Sequence, residues 1–328
     1  MWRGLPLVLA ATAFCLSGQA LADDAASPSA WLERMMTSLH AESYVGTFVL
    51  QREDRLDTIR VVHAAEDGGY RERLETLTGA EREIVRSVDR LSAIKGARGA
   101  SSDGAQSPLG PAGAPVSLLE EHDLYALKIQ GLDRVAGYPC TLVMARARDV
   151  LRYSHRYCLH VDSALPLLSE LYDPRGKLLE RLAFTDLELT DQIDESELEP
   201  TTDDAEYIEV RADRGHKKPQ WDEDNGLGGW KFAELPPGFR AVAATERSLG
   251  NGDEVSRHFV LSDGLASVSV YVEPADGEKS FEGTTRAGAT HAAARVMAGH
   301  QVTAVGDVPH ATVQKVLGAV YYRGAAGE

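Results

Sequence analysis

The chain has 328 residues, 43% of them hydrophobic, and 50 acids against 34 bases leave a formal charge of −16. That length accommodates two ordinary domains or one large one. The acidity excludes a free, sequence-independent grip on nucleic acid, which needs a basic surface, and reads most simply as solubility.

Met1 to Ala22 has the pattern of a secretory signal. Arg3 is the only charge before Asp23, an apolar run covers Leu5 to Leu16, and Ala20-Leu21-Ala22 is a small-x-small cleavage site. The run falls short of the ~20 apolar residues of a membrane span, and Phe14 is too large for a lipoprotein signal ending at Cys15. The mature chain is therefore expected to begin at Asp23 as an exported, soluble protein. Export makes its two cysteines, Cys140 and Cys158, candidates for a disulfide.

Ser27-Pro28 opens a helix, and Leu32, Met35, Met36 and Leu39 give it one apolar face. Such a stripe is ordinary core more often than a lipid contact. From Tyr44 the period becomes two. Strands are expected at Tyr44–Gln51, Leu56–Ala64, Tyr70–Thr76, Glu83–Val88 and Leu91–Ile94, joined by short turns as in an antiparallel meander. In Gly96–Ser117, 17 of 22 residues are Gly, Ala, Ser or Pro. This reads as a mobile surface loop, either a tolerated insertion or a flap over a cavity.

Further strands follow at Tyr125–Ile129, Thr141–Ala147, Tyr153–Val161, Leu167–Tyr172 and Leu178–Thr185. A hairpin turn near Asp149 makes Cys140 and Cys158 equidistant from its centre, so they are expected to face each other across the ladder. Asp186–Asp213 holds twelve acids and one base. It closes a first domain, residues 23–213, before a basic linker at 214–220. A second domain, 221–328, is expected to contain strands at Arg240–Arg247, Val255–Leu261 and Gln301–Val305. Ala287–Met297 is ambiguous between helix and strand, and Ala311–Ala319 reads as a helix. The first domain is acidic, with 36 acids and 24 bases over Asp23–Trp221. The second is nearly neutral, with ten and nine over Lys231–Arg323, which supports the division.

Ser262-Asp-Gly-Leu-Ala-Ser-Val-Ser-Val-Tyr-Val-Glu273 is the strongest strand. Asp263-Gly264 is a turn signal. Ala266, Val268, Val270 and Val272 form a dry face that belongs in the middle of a sheet. Leu265, Ser267, Ser269 and Tyr271 form the other face.

No metalloprotease, nucleophile-elbow, P-loop or dinucleotide motif occurs. His155 and His160 fall on opposite faces of one strand and do not converge on a metal. The chain is read as non-enzymatic, without a cofactor.

Leu235-Pro-Pro-Gly-Phe239, Ser262–Tyr271 and Gly299-His-Gln-Val-Thr-Ala-Val-Gly-Asp-Val-Pro309 resemble the C-terminal domain of the MucB/RseB family. Tyr44-Val-Gly-Thr-Phe48, Arg82–Arg86, Gly131–Gly137, Arg152-Tyr153 and Leu165-Pro166 are similar to its N-terminal domain. The resemblance implies a periplasmic negative regulator of the envelope-stress sigma factor. Such a protein binds the periplasmic part of a membrane-spanning anti-sigma factor, shields it from proteolysis, and releases it on a lipid or lipopolysaccharide signal.

It also implies an α+β, mostly antiparallel fold: a lipoprotein-carrier-like unclosed β-barrel with helices, then a smaller α+β domain. Met35, Met36, Phe48 and Leu50 become candidate lipid contacts, with an ordinary core as the equal alternative. Ser267, Ser269 and Tyr271 become candidate contacts to the anti-sigma factor, which is assigned to the second domain. Self-association into a homo-oligomer stays open. The rival function is a lipid or lipoprotein carrier with no regulatory role.

Overall fold

A computed structural model describes residues 27–67, 69–87, 90–93, 123–201, 208–211, 226–248, 254–277 and 280–324. The expected signal at 1–22, the expected loop at Gly96–Ser117 and the expected linker at 214–220 lie outside the described residues.

Helix α1 (Pro28–Ala41) starts where Ser27 accepts the Ala30 N–H at 3.1 Å, with Pro28 in the first turn. It buries Leu32, Met35, Ser38 and Leu39. The strands β1 (Tyr44–Arg52), β2 (Arg55–Glu66), β3 (Gly69–Thr76), β4 (Glu83–Ser87) and β5 (Arg90–Ala93) form the expected meander. A second meander comprises β6 (Tyr125–Val135), β7 (Tyr138–Ala147), β8 (Ser154–His160), β9 (Pro166–Tyr172) and β10 (Leu178–Leu189).

Pairing of β1 with β10 joins the two meanders. The acidic tail adds β11 (Ile208–Arg211) beside β5, a strand not anticipated because its Ile208/Val210 alternation is short and sits in an acid-rich run. The result is an antiparallel sheet of order β11-β5-β4-β3-β2-β1-β10-β9-β8-β7-β6, with β11 and β6 as its two ends. α1 lies against it, contacting β2, β3, β6 and β7. Tyr44, Phe48 and Leu50 of β1 enter its core, and Gly46 interrupts that row. A Cβ at Gly46 would come within 2.8 Å of the Asp186 carbonyl and 2.9 Å of the Phe184 ring.

The remaining strands are β12 (Trp230–Phe232), β13 (Arg240–Ser248), β14 (Val255–Ser262), β15 (Ser267–Pro274), β16 (Gly283–Ala287), β17 (Thr290–Met297), β18 (His300–Gly306) and β19 (Val320–Tyr322). The six-stranded order is β13-β14-β15-β18-β17-β16, so the dry-faced strand β15 is internal. Val268, Val270 and Val272 are fully buried with Val302 and Ala304 of β18. Helix α2 (His310–Ala319) covers them with Val313, Val316 and Leu317. β12 and β19 pair as a separate ribbon.

The ambiguous stretch at 287–297 is strand. Its alanines carry helix propensity, but β17 is paired on both sides, to β16 and β18, and tertiary pairing overrides a weak local preference.

Candidate functional site

The turn between β7 and β8 is shaped by Asp149, whose Oδ1 accepts the Leu151 N–H at 2.9 Å and the Arg152 Nε–H at 3.1 Å. Three consecutive residues of this turn then enter the second domain. The Leu151 carbonyl accepts the Thr312 hydroxyl at the start of α2. The Arg152 guanidinium donates to Asp263 Oδ2 at 2.6 Å and to the Pro237 carbonyl at 2.7 Å. The Tyr153 hydroxyl donates to the Ala289 carbonyl at 3.2 Å. The turn is a peg, and its socket is built from the loops at 235–239, 263–266 and 288–289 and the start of α2.

Arg152 and Asp263 are both 0% exposed. Asp263 is fully satisfied: Oδ1 accepts the N–H groups of Leu265 and Ala266, and Oδ2 accepts Arg152 and, at 3.1 Å, the Tyr125 hydroxyl. Burial pushes its carboxyl above the ordinary range, against the pull of the Arg152 charge. Burial, then the nearby Asp263 carboxylate, raises the Tyr125 phenol well above its usual value. The rings of Tyr125 and Phe239 flank the guanidinium at 5.7 and 5.6 Å. Beside this polar centre Leu265 inserts into a first-domain cluster with Leu32, Met35, Leu124 and Tyr157. At the rim, Arg286 meets Glu53 at 3.1 Å.

Met35 is fully buried in that same cluster, and Met36 packs between it and the main core. Phe48 is fully buried and Leu50 nearly so, against Leu182, Phe184 and Leu187. The structure thus puts these four residues along one packed interior and not along an open groove.

Cys140 and Cys158 are disulfide-bonded, with Cα atoms 5.3 Å apart. They are not directly opposite, as the hairpin centre near Asp149 implied. Cys140 faces His160, and Cys158 faces Leu142. The peg moves the centre one residue on, which displaces every cross-strand partner by two.

Ser267 and Tyr271 are half-buried, and Tyr271 stacks on His258 at 4.4 Å. Ser269 is buried and bonded to the His258 ring at 2.9 Å. The face expected to be exposed is therefore partly closed, and at Leu265 it becomes the seam. Beyond Tyr271 it opens into a shallow groove of about 380 Å³, lined among others by Glu273, Phe281, Ala292, Ala294 and Thr303. Among the described residues, no three His, Cys, Asp or Glu side chains are grouped to hold a metal ion.

In the sequence Asp263 reads as part of a turn signal and Arg152 as part of a family motif, and neither reading points to a buried pair. An Arg in a hairpin turn and an Asp before Gly both read as solvent-facing. No periodicity links positions 111 apart, so their pairing carried no local signal.

Residues 27–202 match the family model of the MucB/RseB N-terminal domain, and residues 224–321 match that of the MucB/RseB C-terminal domain. The sigma factor AlgU regulatory protein MucB of Pseudomonas aeruginosa is 32% identical over 312 residues, covering 93% of this chain and 94% of its own. The sigma-E factor regulatory protein RseB of Escherichia coli K12 is 25% identical over 320 residues, 96% of each chain. The solved Pseudomonas aeruginosa MucA/MucB complex superposes with a TM-score of 0.65 at 31% identity, covering 91% of this chain and 99% of that one. Both halves of the sequence and the fold that joins them make this chain a member of the MucB/RseB family.

Proposed function

We propose that this protein is a periplasmic regulator of an envelope-stress sigma factor. It acts by binding the periplasmic part of a membrane-spanning anti-sigma factor and shielding it from proteolysis. One observation carries the reading: MucB matches 91% of this chain, and MucB has been solved in complex with MucA(peri). A regulatory binding role also suits a molecule with a buried, internally satisfied polar seam between its two domains.

The second domain supplies much of the grip, through the face of β15 that carries Ser267, Ser269 and Tyr271 and the groove that opens beyond it towards Phe281. The first domain takes the lipid or lipopolysaccharide signal. Because Phe48 and Leu50 are packed, an acyl chain reaches them by displacing side chains of that core, Met36 and Leu39 of α1 among them. Lipid then releases the partner if it binds the free form better than the complex.

Calorimetric titration of the mature chain with the anti-sigma periplasmic segment tests this. Saturable binding that weakens when lipopolysaccharide is added is expected. No binding overturns the regulator reading; binding indifferent to lipopolysaccharide overturns the signal. A carrier with no regulatory role would bind lipid and ignore the segment.

A further inference from the structure

We propose that Arg152 and Asp263 form an orientation latch: their buried pairing fixes one arrangement of the two domains, and the anti-sigma segment binds that latched arrangement. The proposal rests on the regulator reading for its partner, and on the seam alone for the latch.

The geometry distinguishes a latch from glue. The apolar part of the seam, Leu265 among first-domain side chains, tolerates small displacements because dispersion contacts are non-directional. The polar part does not. One guanidinium serves the Asp149 carboxylate, the Pro237 carbonyl and the Asp263 carboxylate together. Asp263 meanwhile caps its own turn through Leu265 and Ala266. Two charges with no exposed surface are satisfied at a single relative placement of the domains. Any shift strands them without water or partner, so intermediate orientations are disfavoured and the seam has two states, engaged or open. Nε, Nη1 and Nη2 of the planar guanidinium each reach a different acceptor, whereas lysine's three donors sit on one nitrogen and cannot span them.

The latch also has a defined route to the docking face. Asp263 lies in the turn that begins β15, and β15 carries Ser267, Ser269 and Tyr271 on the face away from α2. The Tyr153 hydroxyl and the Thr312–Leu151 bond tie the same peg to the β16–β17 turn and to α2. Opening the seam therefore releases three edges of the second domain at once.

The experiment uses the full mature chain, with spin labels introduced as unnatural amino acids at the exposed positions Ala80 and Gln314. The interdomain distance distribution is read by pulsed electron resonance, and segment affinity by calorimetry. Arg152→Met leaves Asp263 buried and unpaired and risks a folding defect. The deciding variant is therefore Arg152→Met with Asp263→Asn, which removes both charges while the amide oxygen still accepts the Leu265 and Ala266 N–H groups.

The wild type should give one narrow distribution. The double variant should still fold, broaden the distribution, and bind the segment roughly tenfold more weakly, the scale of an ordinary allosteric coupling. A distribution as narrow as wild type overturns the latch. A broad distribution with wild-type affinity overturns its role in binding. If the wild type itself fails to bind, the regulator reading falls, and the distance distribution still decides the latch.

Discussion

At position 306 a single methyl group decides whether two strands can pair. A Cβ on Gly306 would run into the carbonyl oxygen of Ser267 across the β15–β18 ladder. This explains on packing grounds why that position in the Gly299–Pro309 motif is glycine. Gly306→Ala should destabilise the chain by about 1–3 kcal/mol through overpacking. Gly318→Ala in α2 meets nothing within 4 Å and should stabilise by roughly 0.5–1 kcal/mol. Urea midpoints that move in the same direction for both would contradict this assignment. His155 gives a pH signature at the same scale. Burial pushes its imidazole down to about 4, so the unfolded chain binds the proton more readily. The folded state therefore loses stability as pH falls from about 6.5 towards 4, by at most about 3 kcal/mol. A His155→Gln variant, whose stability should be flatter across that window in denaturant titrations, is the check.

The β7–β8 hairpin joins two features that sequence reasoning treated separately. The disulfide staples its open end, and its turn is the peg held by the second domain. The alternation of β7 and β8 made the hairpin legible, and so did the export context that permits a disulfide. The register was not legible, because the turn geometry answers to Asp263 and Pro237, far away in sequence. The same limit applies elsewhere. Strong patterns such as Ala266–Val272 located β15 and its buried face. β16 has no dry face and β11 only the Ile208/Val210 pair, and both form because a neighbouring strand offers a ladder. Phe48 and Leu50 were recognised as facing inward, but whether they line a cavity or a core depends on how closely α1 packs, which spacing does not encode. With an 18-residue separation the disulfide should contribute at most about 3 kcal/mol, and less here because the hairpin already holds the ends together. Denatured, unreduced protein should show no reactive thiol from these positions. The Cys140→Ala/Cys158→Ala variant should unfold at a modestly lower denaturant concentration. Two titratable thiols would mean that the bond does not form.

On the scale of the whole molecule, the seam decides whether two domains behave as one. Each has its own core: one around Tyr44, Phe48 and Phe184, the other around Val270, Phe259 and Val313. Separate cores would ordinarily unfold separately. Here the open seam would expose Leu265 and its first-domain cluster to water and give up the Arg152–Asp263 pairing, so unfolding either domain penalises the other. The intact mature chain should therefore melt in one transition. Tryptophan reports on this in a usable way. Trp31 packs beside α1's cluster in the first domain, whereas Trp230 is buried in the second. A Trp31→Phe background leaves fluorescence to Trp230 and Trp221, while far-ultraviolet circular dichroism follows both sheets. In that background the two signals should give coincident melting curves. Adding Arg152→Met should pull them apart, since breaking a buried pair by removing one partner costs about 3–5 kcal/mol and that loss falls on the coupling between domains. Curves already separate in the Trp31→Phe background, or still coincident after Arg152→Met, would show that the domains communicate through something other than this seam.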